Sequence, residues 1–230
     1  MKQYLSYGGG VNSTAMLLLL HDEGQEFESI YVDHGCDWPE TREYVRMIAE
    51  KYPITILKTP ETLYEYAWRY EMTPYMKTRW CTKLFKVKII NDYVGKPSFQ
   101  LIGFSSDEAH RAKLSYNEGI ENRFPLIERD IDREKCKEII QDHSLPIPIK
   151  SGCYFCPMQR IKQWKDLRRK HPDLFCKVEQ LEKRNQEYSI RKGKKPFYIY
   201  SNKKPLKAIV NENQDKLFEE MQYPPCNCEL

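Results

Sequence analysis

The chain is 230 residues long, 30% of them charged, with 37 Lys and Arg against 33 Asp and Glu, a formal net charge of +4 and a mean hydropathy of -0.73. That length buries a real core and holds one domain with a smaller appendage. The longest apolar run, residues 15–20, is far short of the ~20 residues of a membrane span, and Met1-Lys2-Gln3 opens no signal peptide, so a cytoplasmic protein without membrane association is expected. Eight cysteines in that reducing compartment speak against a disulfide framework, and their grouping matters more than their number.

Residues 1–5 suit a short buried strand, and the unbroken apolar run 15–20 suits a helix pressed against a sheet. Between them lie Ser6, Tyr7, Gly8, Gly9, Gly10, Val11, Asn12, Ser13 and Thr14. Three glycines allow close backbone approach, and Ser13 and Thr14 bring hydroxyls to the start of the helix. Strand, Gly-rich turn and helix N-terminus together make an anion site, because orphan amides and the helix dipole converge there. A phosphate is the expected ligand. The spacings G-x-x-x-x-G-K-[ST] and G-x-G-x-x-G with its acidic partner are both absent. A Gly-rich turn with no ligand is the competing reading.

Residues 28–32 read as a second strand ending at Asp33, after which Pro39-Glu40-Thr41 marks a helix start ahead of Tyr44, Val45, Ile48 and Ala49. Residues 54–57 read as a third strand. This βαβαβ order predicts an α/β fold with a doubly wound parallel sheet, Rossmann-like, with ligands outside the carboxyl ends of its strands. Asp33 is then placed for the nucleoside end of a nucleotide, or serves as a helix N-cap. Residues 62–78, rich in Tyr, Trp and Met, predict a lid or helix in which Trp68, Tyr75 and Trp80 stack a base or fill a core. Residues 79–88 set Cys81 among four cations, including Lys83, which favours the thiolate.

Residues 99–104 read as strand four, followed by Glu108 and Arg111, which clamps an anion or pairs with Glu108 at i,i+3. A helix over 132–142, with Cys136 as core filler, and a turn over 145–148 close a first domain, 1–148. The remainder, 149–230, is expected to be a small helical, cysteine-bearing extension. In it, Cys153-Tyr154-Phe155-Cys156-Pro157 is a C-x-x-C turn suited to zinc or an iron–sulfur cluster; a thioredoxin-like redox pair is the alternative. Cys81 is the best third ligand and Cys226 or Cys228 the fourth, with Cys176 and Cys36 as rivals. From Lys183 to Lys207 nine cations face one acid, Glu187, which predicts contact with nucleic acid or an anionic substrate, or a solvated surface.

Several of these segments carry a family resemblance. Ser6, Gly8, Gly9, Gly10, Asn12 and Ser13 resemble the S-x-G-G-x-[DN]-S loop of the adenine-nucleotide α-hydrolase, or PP-loop ATP pyrophosphatase, superfamily. Asp33 through Thr41 is similar to D-T-G-x-x-x-P-E-T of its phosphoadenosine phosphosulfate (PAPS) reductase branch. Arg79 to Lys88 resembles R-x-C-T-x-x-x-K, and Gly103, Glu108, Arg111 and Ala112 match G-x-x-x-x-E-x-x-R-A. Lys150 to Pro157 matches K-x-x-C-x-x-C-P, whereas Arg129 stands where the family usually has tryptophan.

The resemblance implies binding of ATP, or another adenine nucleotide, with Mg²⁺ through the Gly8–Ser13 loop, Lys83 and Arg111. It implies a [4Fe-4S] cluster, with Zn²⁺ as the alternative. The implied reaction is α–β cleavage of ATP coupled to sulfur transfer, with nucleic acid as an acceptor facing the 183–207 segment. Reduction of a sulfonucleotide is the alternative, although the E-C-G-[IL]-H segment and the adjacent Cys-Cys pair of such reductases are missing. A metal-stapled nucleotide binder without catalysis is the third reading.

Overall fold

A computed structural model describes residues 1–112, 118–200 and 204–211. Its elements run β1 (Lys2–Ser6), α1 (Val11–Asp22), β2 (Glu28–Asp33), α2 (Pro39–Ala49), β3 (Ile54–Lys58), α3 (Leu63–Arg69), α4 (Trp80–Thr82), a π-helical turn (Lys83–Val87), α5 (Lys88–Tyr93) and β4 (Ser98–Leu101). There follow a 3₁₀ turn (Ser106–Arg111), β5 (Ile120–Arg123), α6 (Pro125–Glu128), α7 (Arg133–Asp142), α8 (Ile161–Lys170), α9 (Pro172–Arg191) and α10 (Leu206–Asn211). Two compact units emerge. The first contains residues 1–59 and 82–152; the second contains residues 60–81 and the described residues from 153 onward.

The first unit is built on a five-stranded sheet in the order β3-β2-β1-β4-β5 with every pairing parallel. Alternation along the strands assigns the two faces. Leu5, Tyr31 and Leu101 pack with α1, α2 and α7, whereas Tyr4, Ile30, Val32 and Ile120 pack with Ile90 and Val94 around α5. Both faces are therefore covered, as a parallel sheet requires, and the doubly wound expectation holds. Pro39 stands at the first position of α2, where its missing N–H costs nothing.

The fourth strand is shorter than the apolar run suggested. Phe104 donates its N–H to the Ile102 carbonyl at 2.9 Å, so a tight turn centred on Gly103 ends β4 early. β5, Ile-Glu-Asn-Arg, escaped the sequence reading because an edge strand of four residues with three polar side chains has no apolar periodicity.

In the second unit α3, α8 and α10 pack on α9, with Trp164, Leu167, Phe175, Val178 and Leu181 fully buried. Thr62 and Glu65 form a reciprocal capping box that starts α3. Glu182, buried on α9, accepts the N–H groups of Ile199 and Leu206, each at 2.9 Å, and so ties the chain after α9 to the start of α10. Among the described residues no helix is long and apolar enough to cross a membrane.

A clip joins α1 to α7. At the end of α7 the His143 ring approaches the Ile139 carbonyl through Nδ1 at 2.8 Å and Asp22 through Nε2 at 3.0 Å. Partial burial works against its charge, but the carbonyl and Asp22 outweigh it and raise the imidazole above its ordinary value. A raised histidine stabilises the fold fully below the unfolded value of ~6.5 and loses that contribution as pH rises through the folded value. Asp22 is more than half exposed, so the pair is worth about 0.5 kcal/mol. His143→Gln is expected to lower the thermal midpoint by about 1–2 °C at pH 6 and to leave it unchanged at pH 9, as read by differential scanning calorimetry.

Candidate functional site

The candidate site lies in the first unit, outside the carboxyl ends of β1, β2 and β4, where β1 is flanked by strands reached in opposite directions. Gly9 takes φ +67°, a conformation that disfavours any side chain, and a Cβ there would meet Val45 Cγ2 at 2.7 Å. Gly10 is the N-cap of α1. Ser13 Oγ accepts the N–H groups of Gly8 and Gly10 at 3.2 and 3.3 Å, so the serine braces the loop from inside. Ser6 Oγ receives Gln100 Nε2 at 2.9 Å across the β1–β4 pairing. Thr14 N–H bonds to Gly10 O at 3.0 Å, and the amides of Val11, Asn12 and Ser13 precede any intrahelical acceptor. They form the N-terminal end of α1.

Asn12 is buried and fully used. Its Nδ2 donates to Ser105 Oγ at 3.0 Å and Glu108 Oε2 at 2.9 Å, and its Oδ1 accepts from Arg133 at 3.2 Å. Glu108 Oε1 pairs in turn with Arg111, both side chains more than nine-tenths buried. The Arg111 guanidinium also lies 4.3 Å over the Phe104 ring. The ion pair read from the i,i+3 spacing is thus present, and Asn12 works as a structural joint. Ser105 and Arg133 left no motif to be read in the sequence.

At the end of β2, Asp33 Oδ1 accepts Gly35 N–H at 2.9 Å and Oδ2 lies 3.7 Å from Arg42. Asp33 caps no helix, since the residue before α2 is Trp38. Beneath it, His34 and Asp37 are buried together. His34 Nδ1 accepts Cys36 N–H at 3.3 Å, which leaves the ring proton on Nε2, 3.4 Å from Asp37 Oδ1. Asp37 Oδ2 accepts the Tyr31 hydroxyl at 2.5 Å. Burial holds the His34 imidazole below its ordinary value and hence neutral. Burial opposes ionisation of Asp37 too, but His34, Lys86, the Tyr31 hydroxyl and Arg42 keep its carboxyl below the usual range. Burial and then Asp37 hold the Tyr31 phenol well above its ordinary value.

Lys83 and Lys86 share the π-helical turn but differ in setting. Lys83 is exposed, whereas Lys86 is half-buried and its charge acts on both His34 and Asp37. A π turn inserts an extra residue per turn and is common at functional positions. The missed signal was in the spacing itself, because counting R-x-C-T-x-x-x-K from Arg79 puts its lysine at 86.

Cys81, Cys153 and Cys156 all fall in the second unit. Cys153 and Cys156 are buried reduced thiols in a turn closed by Cys156 N–H to Cys153 O at 3.1 Å, and Gln159 Nε2 braces it at Tyr154 O, 2.8 Å. This pair fits half the ligand set of a thiolate-bound metal. Among the described residues no three His, Cys, Asp or Glu groups converge to complete it. Cys226 and Cys228, read as the fourth ligand, lie outside the described residues.

The parallel sheet and the crossovers on both its faces define a doubly wound α/β protein. The chain belongs to the phosphoadenosine phosphosulfate reductase domain family, whose model matches residues 2–147. A relative from Methanocaldococcus jannaschii, the uncharacterized protein MJ0973, is 26% identical over 92% of this chain, and the chain spans 55% of that relative's length. Among solved structures, a PAPS reductase from Candida auris in complex with phosphate superposes with a TM-score of 0.51 at 19% identity, over 64% of this chain and 75% of the other. That likeness shows the fold. A predicted tRNA methyltransferase subunit from M. jannaschii, 15% identical over 87% of this chain and 93% of its own, reaches a TM-score of 0.42.

At Gly103 the neighbour is backbone rather than side chain: a Cβ there would lie 3.1 Å from both Ser13 Cα and Ser13 N. Backbone at a helix start cannot give way there. Gly103→Ala is expected to cost about 1–3 kcal/mol in urea unfolding. Gly95→Ala, with its nearest neighbour the Tyr4 hydroxyl at 3.8 Å, is expected to change stability by less than about 0.5 kcal/mol.

Proposed function

We propose that the chain is a nucleotide-dependent enzyme that binds ATP with Mg²⁺ at the Gly8–Ser13 loop and cleaves its α–β bond. The observation that supports this reading is the Gly-rich loop braced by Ser13 at the N-terminus of α1, with the half-buried Lys86 at the β2 end of the same unit. In the proposed reaction an acceptor oxygen attacks the α-phosphorus, the bond to the bridging oxygen breaks, and pyrophosphate leaves with the electron pair. The amides of Val11, Asn12 and Ser13 offset the charge on the phosphate chain, and Lys86 adds a mobile cation at the β2 end. Lys83, being exposed, contributes long-range attraction. Arg111, committed to Glu108, acts by holding Asn12 and the start of α1 through that carboxylate. Asp33 remains the candidate for the nucleoside end.

Displacement of the adenylate by a sulfur nucleophile would then thiolate the acceptor, and nucleic acid is the acceptor proposed for the 183–207 segment. Cys153, Cys156 and Cys81 with Cys226 or Cys228 are the proposed ligands of a [4Fe-4S] cluster, or of Zn²⁺. When bound, the cluster would supply sulfur handling or electrons. Family membership favours a second reading, reduction of a sulfonucleotide, with Cys226 or Cys228 as nucleophile.

Anaerobic purification with iron, sulfide and zinc analysis, followed by an assay for pyrophosphate release from ATP, separates these readings. About four irons per chain with acid-labile sulfide are expected, together with pyrophosphate release. Lys86→Ala is expected to reduce that release by about 10²-fold, a larger loss than Lys83→Ala produces. Iron without pyrophosphate release, combined with thioredoxin-driven turnover of PAPS, would overturn the first reading in favour of the second. Zinc with neither activity would overturn both.

A further inference from the structure

We propose that α9 and the Trp68–Glu71 segment of the second unit form a binding strip for unpaired RNA, an inference that rests on the nucleic-acid acceptor proposed above. Trp68 and Tyr70 are 37% and 54% exposed, and both are large aromatics shown to solvent. Each carries a cation on its ring: Arg184 lies 4.6 Å from the Trp68 centroid and Arg69 5.5 Å from that of Tyr70. Tyr64 stacks on Trp68 at 6.0 Å and 22°, with Lys177 6.0 Å from its own ring. Further along α9, Arg191 and Lys192 lie 5.9 and 5.8 Å from the Tyr188 ring. Lys192, Gly193, Lys194 and Lys195 are all exposed.

The strip is held rigid from below. Arg184 Nε donates to Trp68 O at 2.9 Å, Asn185 Nδ2 to Glu71 O at 3.1 Å, and Arg191 grips both Glu71 oxygens at 2.6 and 2.7 Å. Trp68 and Glu71 are therefore both held at the level of Arg184 and Asn185, and Arg191 reaches back to the Glu71 carboxylate from about two turns further along α9. The acids facing the strip include Glu71, which offsets Arg184 and Arg191, Glu61, which pairs with Arg69, and Glu187, which lies 4.0 Å from Lys183. Lys177, Lys192, Lys194 and Lys195 remain to meet phosphates.

Guanidinium planes laid on aromatic rings suit a polymer with bare bases and a charged backbone, because a base stacks on the outer side of the guanidinium and each phosphate attracts a lysine. A duplex hides its bases. Cellular DNA is mostly duplex, whereas RNA presents loops and ends whose bases splay onto aromatic and guanidinium planes. A protein partner would call for an interface core depleted of charge, and these aromatics are each topped by one.

The test is fluorescence anisotropy of the full chain with a short, unstructured, labelled RNA in buffer without ATP, so the result does not depend on nucleotide turnover. Trp68→Ala is expected to weaken binding by about tenfold or more, while Trp68→Phe, which keeps a stacking face, retains most of it. Lys192→Ala with Lys194→Ala is expected to make the dependence of log affinity on log salt shallower by about 0.7 for each phosphate no longer neutralised. Failure to bind RNA, equal binding by wild type and Trp68→Ala, or equally tight binding of the same sequence as single-stranded DNA or duplex would overturn the proposal.

Discussion

The working end of the first unit depends on one buried amide. Asn12 connects the first turn of α1 to Ser105 and Glu108, residues more than ninety positions away, and to Arg133 at the start of α7. Each partner is itself held: Glu108 by Arg111, Arg111 by the Phe104 ring, and Phe104 by a parallel stack on Phe124 at 5.9 Å. Such a network is stiff when every group is satisfied and costly when one is not. It fixes the first turn of α1, and within it the buried Arg111 Nε has no hydrogen-bond partner among the described residues.

The β2 end follows a different logic. His34 and Asp37 are buried together beside the Asp33–Arg42 pair, and both are engaged within the protein. One His34 nitrogen is filled by the Cys36 amide and the other faces Asp37, whose second oxygen holds Tyr31. The buried negative charge is instead an anchor for Lys86 and Arg42, whose charges act on it across the crevice. A cation drawn toward a fixed carboxylate is pre-positioned, which limits the entropy lost when a phosphate arrives.

The second unit is organised around α9. Its buried face carries Phe175, Val178 and Leu181 together with Glu182, a carboxyl that accepts two backbone N–H groups and is raised above its ordinary value by burial. Arg184 and the buried Asn185 bond to the Trp68 and Glu71 carbonyls at the end of α3. The Cys153–Cys156 turn sits beside this packing, with Tyr64 touching both Tyr154 and Phe155 at ring distances of 6.5 and 6.0 Å. A thiol pair set among aromatic rings is shielded from solvent, which suits a metal ligand better than a nucleophile.

Local chemistry was legible in the amino-acid order. Residues 1–57 announce strand, phosphate-type loop, helix and crossover because apolar periodicity, a glycine triplet and Pro39 act within a few positions of themselves. The parallel sheet follows from that alternation. The pairing of Arg111 with Glu108 was also readable, being one helical turn long. Lys83 and Lys86 are both visible as cations in the sequence, but the π turn that leaves one exposed and the other half-buried is not. β5 was invisible because its residues are polar at an edge and gain their place only from β4. The Asn12 network, the His34–Asp37 pair and the attachment of residues 60–81 to the unit that begins at Cys153 were settled by tertiary structure alone. They are contacts between distant positions, selected by burial and by the need of every buried polar group for a partner.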